Sequence, residues 1–155
     1  MQESVIEALR NIVGQNNLVV EKNKTGDYLR DETPEPVRPE PAKDIVVARP
    51  VNEQEIAEIM KFANENKIYI FPRGGGTGLV GGAIPARNGI VLSLERMKRI
   101  EIDKENLMAV VEAGVTLESL TVAADNAGLS FPLHPGDESA QIGGLVATNA
   151  GGLTP

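Results

Sequence analysis

Cysteine and tryptophan are absent from the 155 residues, and histidine occurs once. Without thiols there is no disulfide, no thiolate metal site and no cysteine nucleophile, and a single imidazole cannot build a histidine-rich metal centre. No metal ligand and no catalytic residue is assigned. Basic charge is also scarce, with 15 Lys and Arg against 22 Asp and Glu, for a net charge of −7. That balance opposes non-specific binding to nucleic acid or to an anionic membrane surface. The two tyrosines, Tyr28 and Tyr69, are too few and too separated for a base-stacking platform. Long apolar runs are missing, so no membrane span is read. The opening MQESVIEALRNIVG carries acids and neither a basic flank nor a long apolar core, which is not the pattern of a signal or transit peptide. A cytoplasmic protein is expected.

What is present suffices for one compact domain: at 41% apolar residues, a chain of this length buries roughly two thirds of its unfolded surface. Val5, Ile6, Leu9, Ile12 and Val13 recur at helical spacing behind Ser4, a candidate cap, and Gly14 ends the run. A brief strand, LVVE, leads into a polar connection in which Pro34, Pro36, Pro39 and Pro41 oppose regular structure. Too little chain precedes this connection to form a core of its own. Next come a buried strand in DIVVARP, a helix in EQEIAEIMKFANENK with Ile56, Ile59, Met60 and Ala63 on one face, and a second strand in IYIFP. A strand, helix and strand joined this closely form a βαβ unit with parallel strands. GIVLSL, RIEID and MAVVEAG read as three further strands. TLESLTVAADNAG reads as a helix with Thr116 as cap, Leu117, Leu120 and Ala124 inward and Gly128 at its end.

Between IYIFP and GIVLSL, six glycines fall in the ten positions from Arg73 to Gly82. Gly76, Gly78 and Gly81 match GxGxxG, but the dinucleotide fingerprint needs a helix starting inside it to face the pyrophosphate. Here Pro85 and the Asn88-Gly89 turn lead to a strand instead. The phosphate loop of nucleoside triphosphatases is excluded because no GKS or GKT follows. What the loop offers is a row of backbone N–H groups without Cβ atoms, able to adopt left-handed conformations and cup an anion such as a diphosphate. Arg73 and the Thr77 hydroxyl are candidate extra donors. A second glycine-rich stretch, HPGDESAQIGGLVATNAGG, runs from His134 to Gly152, and its small residues permit close approach of something flat and large.

PRGGGTGLVGGA followed by QIGGLVATNAGG resembles the FAD-binding domain of the vanillyl-alcohol oxidase and p-cresol methylhydroxylase superfamily, in particular the group formed by D-lactate dehydrogenase, the glycolate oxidase GlcD-type flavoprotein and D-2-hydroxyglutarate dehydrogenase. The resemblance runs from about Asp44 to the end. It implies an α+β, PCMH-type FAD-binding fold, with a βαβ subdomain followed by a second mixed or antiparallel sheet with helices. Residues 1–43 would form an N-terminal helix and connection, and 44–155 a FAD-binding domain incomplete at its C-terminus, without the family's cap domain.

The same resemblance implies that the first loop binds the FAD pyrophosphate through Arg73, Gly74, Gly75, Gly76, Thr77, Gly78, Leu79 and Gly82. Pro132, Ser139, Ile142, Gly143, Gly144, Ala147, Thr148 and Asn149 would line the flavin. Thr77 stands where some members carry a histidine that attaches FAD covalently, so non-covalent FAD is expected. The implied activity is oxidation of a D-2-hydroxy acid to the 2-oxo acid, with electrons passing to a protein or quinone acceptor. A non-catalytic FAD-binding or assembly module and, further off, an NAD-binding Rossmann domain are the alternatives. His134 reads as structural, Asp137 and Glu138 as a solvated turn, and ERMKRIEIDK, Glu95 to Lys104, as solvated surface.

Overall fold

A computed structural model describes residues 1–152; the last three residues of the expected 44–155 unit lie outside the described residues. Helix α1, Glu3–Val13, places Ile6, Leu9 and Val13 in the core. Its cap position is Gln2 rather than Ser4, because the chain turns helical one residue before the serine, and Gln2 makes no side-chain capping bond. Gly14 ends the helix at φ +82°, a conformation that favours glycine. Of LVVE only Leu18–Val19 is strand (β1), paired antiparallel with β2, Ile45–Ala48.

All four residues of β2 are buried. Helix α2, Glu53–Glu65, starts where the Asn52 side chain accepts from the Glu55 N–H and buries Ile59 and Ala63. Met60 faces outward, 46% exposed, contrary to the expected face; Phe62 packs against the core instead, since the buried stripe runs through Ile56, Ile59, Phe62 and Ala63. Strand β3 is Tyr69–Arg73 and β4 is Gly89–Ser93. The sheet order is β1-β2-β4-β3, with β4 parallel to both neighbours. β2 and β3 are therefore parallel as the βαβ reading requires, but β4 lies between them.

Alternation sends the two sheet faces to different partners. Val46, Ala48, Ile90 and Leu92 pack under α1 and α2. Ile45, Val47 and Val91 on the other face are covered by Tyr28, Leu29 and Ala42 of the proline-rich connection. That connection contains two short 3₁₀ turns, Gly26–Leu29 and Glu35–Val37, and buries Thr25, Asp31 and Thr33. It is packed on the sheet, with specific hydrogen bonds in place of regular structure.

The chain then forms an antiparallel ribbon of β5, Ile100–Asp103, and β6, Met108–Val111. Helix α3, Leu117–Asn126, follows; Thr116 accepts from the Ser119 N–H, Leu117, Leu120 and Ala124 are buried, and Gly128 takes φ +75° just beyond the end, all as the pattern predicts. The second glycine motif, read from sequence as a loop, contains a six-residue helix α4, Ile142–Ala147. The α+β class stands, with the βαβ part followed by an antiparallel ribbon and helices. No helix of the described residues is long and apolar enough to cross a membrane.

Candidate functional site

The parallel ladder ends at Arg73, whose carbonyl accepts from the Leu94 N–H at 3.1 Å. From there the chain enters the glycine loop at the carboxyl end of β3, the edge of a parallel sheet where ligands gather. Residues 74–88 hold no helix, so the Rossmann alternative falls. Among the described residues, no backbone N–H from Gly74 to Val80 donates a hydrogen bond within the chain. Native backbone N–H groups away from bulk structure find partners, and a consecutive row of free ones, with Gly76 in the left-handed region at φ +76°, is the arrangement that cups an anion.

The loop is held from behind by the connection. Arg73, 8% exposed, donates from Nη2 to the Asp27 carbonyl at 2.7 Å and from Nη1 to the Arg30 carbonyl at 2.8 Å, and lies over the Tyr28 ring. A Cβ on Gly76 would stand 2.8 Å from Arg73 Cζ, so glycine is required both by φ and by the guanidinium beneath it. Glu32 N–H donates to the Gly78 carbonyl at 3.0 Å, and Gly81 N–H to Thr33 Oγ1 at 2.6 Å. Burial lowers the Arg73 pKa from its ordinary value; Asp31, Tyr28, Glu95 and Asp27 act in the opposite direction. The Arg73 donors are thus engaged by the chain's own carbonyls.

Beneath Arg73, Tyr28 Oη donates to Glu95 at 2.9 Å, and Arg49 pairs with Glu95 at 3.4 Å. Glu95 is therefore part of a half-buried polar network, which corrects its reading as solvated surface; the charges of 95–104 gave no hint of a partner so distant in sequence. Desolvation, then the bond to Glu95, raises the Tyr28 pKa above its ordinary value of about 10. A raised folded pKa means that the folded state holds this proton more tightly. The stabilisation is complete below the unfolded pKa and is lost as pH rises through the folded one. The melting temperature is accordingly expected to fall above about pH 10, and Tyr28→Phe to flatten that alkaline limb. An identical limb in the variant would assign the loss to other groups.

The second motif is brought to the first by α3. Leu117 N–H donates to the Ala140 carbonyl and Glu118 N–H to the Glu138 carbonyl, while Ile142 N–H donates to the Val115 carbonyl at 2.8 Å. Residues 138–142 are thereby laid along 115–118, with Thr116 and Gln141 forming a bridge. Gly143 N–H donates to the Ala113 carbonyl at 2.9 Å, and a Cβ there would come within 2.7 Å of Ala113 Cβ. Only glycine permits this approach.

The two motifs meet at a seam. The Cβ direction of Gly74 points at Gln141 and Gly144, and that of Gly75 at the Ser139 carbonyl and Gln141 N. Ser139 is fixed by Asp137, whose Oδ1 accepts from its N–H at 2.9 Å and its Oγ at 2.7 Å. Gly78 and Gly82 have open space at their Cβ positions, and Leu79 is 65% exposed on the same loop. Pro132, Ala147, Thr148 and Asn149 are exposed; Thr148 Oγ1 accounts for the α4 end by donating to the Gly144 carbonyl. His134 lies on the exposed approach to the motif, 3.6 Å from Glu138. Sequence reasoning passed over Gln141, which is buried, and the connection residues Asp31 and Thr33, whose burial depends on partners more than forty residues away.

The donor row suits a diphosphate, and the seam beside it admits the flat part of a dinucleotide. The chain is 55% identical over 126 residues to the D-lactate dehydrogenase of Archaeoglobus fulgidus, covering 81% of this chain and 28% of that protein. It is 39% identical to glycolate oxidase subunit GlcD of Bacillus subtilis, over 81% of this chain and 26% of the relative. The fold matches alkyldihydroxyacetonephosphate synthase with a TM-score of 0.84 at 19% identity, over 98% of this chain and 33% of that one. It also matches p-cresol methylhydroxylase with a TM-score of 0.70 at 24% identity, over 84% and 25%. The chain thus spans less than a third of the length of the D-lactate dehydrogenase and glycolate oxidase relatives. With residues 45–154 matching the model of the FAD binding domain, the chain belongs to that family, and its cofactor is FAD.

Proposed function

We propose that this chain binds FAD non-covalently as the cofactor-binding portion of an enzyme that oxidises a 2-hydroxy acid of the D-lactate, glycolate or D-2-hydroxyglutarate class to the 2-oxo acid, in a cytoplasmic setting. The observation that carries the reading is the row of unengaged N–H donors from Gly74 to Gly78 at the seam with residues 139–144. Gly74, Gly75, Gly76, Thr77 and Gly78 would hold the diphosphate; Leu79 and Gly82 would border it. Arg73 keeps the loop in shape. Ser139, Ile142, Gly143 and Gly144 would lie along the flavin, with Pro132, Ala147, Thr148 and Asn149 at its rim. FAD, when bound, supplies the two-electron redox chemistry. Thr77 offers no imidazole for a covalent link.

The substrate class is supported by the relatives' names, D-lactate dehydrogenase, glycolate oxidase and D-2-hydroxyglutarate dehydrogenase. Residues that bind the hydroxy acid, and an acceptor protein or quinone that takes the electrons, belong to sequence beyond this unit. The reading is tested by incubating the chain with FAD, removing excess by gel filtration and recording the visible spectrum. Retained flavin that acid precipitation releases into the supernatant is expected. Flavin that stays with the precipitate would overturn non-covalent attachment, and a folded chain that elutes colourless would overturn the site.

A further inference from the structure

Gln141 is buried, 9% exposed, yet its Oε1 has no hydrogen-bond partner. The oxygen lies 3.5 Å from the Cβ direction of Gly74, at the centre of the seam between the two motifs. The backbone of Gln141 is fully engaged in placing α4, since it bridges to Thr116 and its carbonyl accepts from the Leu145 N–H at 3.0 Å. The amide head is the part left over. A leucine or methionine would fill this place without an unpaired acceptor, and a buried acceptor without a partner destabilises the fold that contains it.

We propose that Gln141 is a cofactor-contacting residue whose amide oxygen accepts a hydrogen bond from a hydroxyl or ring N–H of FAD. This rests on the FAD reading above and adds a division of labour to it. The free N–H groups of the glycine loop are donors and call for an acceptor, which the diphosphate supplies. Oε1 is an acceptor and calls for a donor, which a diphosphate near neutral pH does not carry but the polyol chain and the flavin ring do. The oxygen is closed to solvent without ligand, and the terminal torsion of glutamine is soft, so a turn of the amide suffices to present it. Ligand binding then satisfies an atom that the empty chain leaves unsatisfied.

The test compares the wild-type chain with Gln141→Met, a substitution of similar length and flexibility. FAD affinity is measured by flavin fluorescence, inorganic pyrophosphate is titrated as competitor, and the ligand-free proteins are melted. FAD affinity in the variant is expected to fall about tenfold, the effect of one hydrogen bond. The pyrophosphate constant is expected to stay within twofold, and the ligand-free melting temperature to rise by roughly 2–4 °C. Unchanged FAD affinity, or pyrophosphate weakened as much as FAD, overturns the assignment, because the side chain would then only shape the glycine loop. If the wild-type chain itself binds no FAD, the functional reading fails first. Should the variant not fold, the Gln141 side-chain amide resonances of the wild type are followed by NMR. They are expected to shift on adding FAD and not on adding pyrophosphate, and no shift with FAD overturns the proposal.

Discussion

Replacing Arg73 by methionine is expected to lower the unfolding free energy by about 3–5 kcal/mol and to abolish FAD retention. The side chain stands 8% exposed between the connection and the glycine loop and donates to the carbonyls of Asp27 and Arg30. Methionine fills part of the volume and supplies none of the donors, leaving two carbonyls and the nearby Asp31 carboxylate without their cation. Gly76, which rests on the guanidinium, loses its support at the same time. Arg73→Lys retains the charge but is a single point donor where a planar fork spans two acceptors, so it should recover only part of the loss. Urea denaturation followed by a flavin-retention assay measures both effects. An unchanged midpoint would show that the bonds from Glu32 to Gly78 and from Gly81 to Thr33 hold the connection on their own.

Gly143→Ala is expected to cost about 2–3 kcal/mol and to weaken FAD binding, although alanine is the better helix former. The added methyl would meet Ala113 Cβ at 2.7 Å, its carbonyl oxygen at 3.0 Å and its Cα at 3.1 Å. Two of these are backbone atoms, so relief comes only by lifting α4 from the 112–115 turn and opening the seam. Gly144→Ala is the control one position on, where a Cβ has no neighbour within 4 Å; its melting temperature should equal or exceed that of the wild type. If both alanine variants melt alike, the approach of α4 to Ala113 does not set the position of the second motif.

The regular elements were legible because their signals are local. Apolar spacing located α1, α2 and α3, Thr116 and Gly128 marked the limits of α3, and the missing helix after Gly78 separated this loop from a Rossmann turn. Local signals failed where the deciding partner is remote. Met60 and Phe62 are both apolar and two residues apart, and only the packing against α1 and the sheet chooses between them. Helix α4 was hidden because Gly143 and Gly144 oppose helix formation in isolation; bonds to Ala113 and Val115 impose it. The connection read as polar and extended, yet its threonines and Asp31 are buried, since a polar side chain enters the interior when a specific acceptor or donor awaits it. The two motifs were recognised in sequence, but their contact through Gln141 required the fold.

Strand β4 comes last of the four in the main sheet and sits in an inner position, with β2 and β3 bonded to it rather than to each other. A nascent chain that has not reached residue 93 therefore holds two strands sharing no rung, and pairs such as Ile45 with Gly89 must close across 44 residues. When β4 enters, it fixes both flanks of the glycine segment in the same event, because that segment leaves from Arg73 and returns at Gly89. The conformational entropy of the segment is thus surrendered during sheet assembly, before any ligand arrives. Association with a dinucleotide can then proceed as docking onto a rigid cradle, with its rate set by encounter rather than by loop rearrangement.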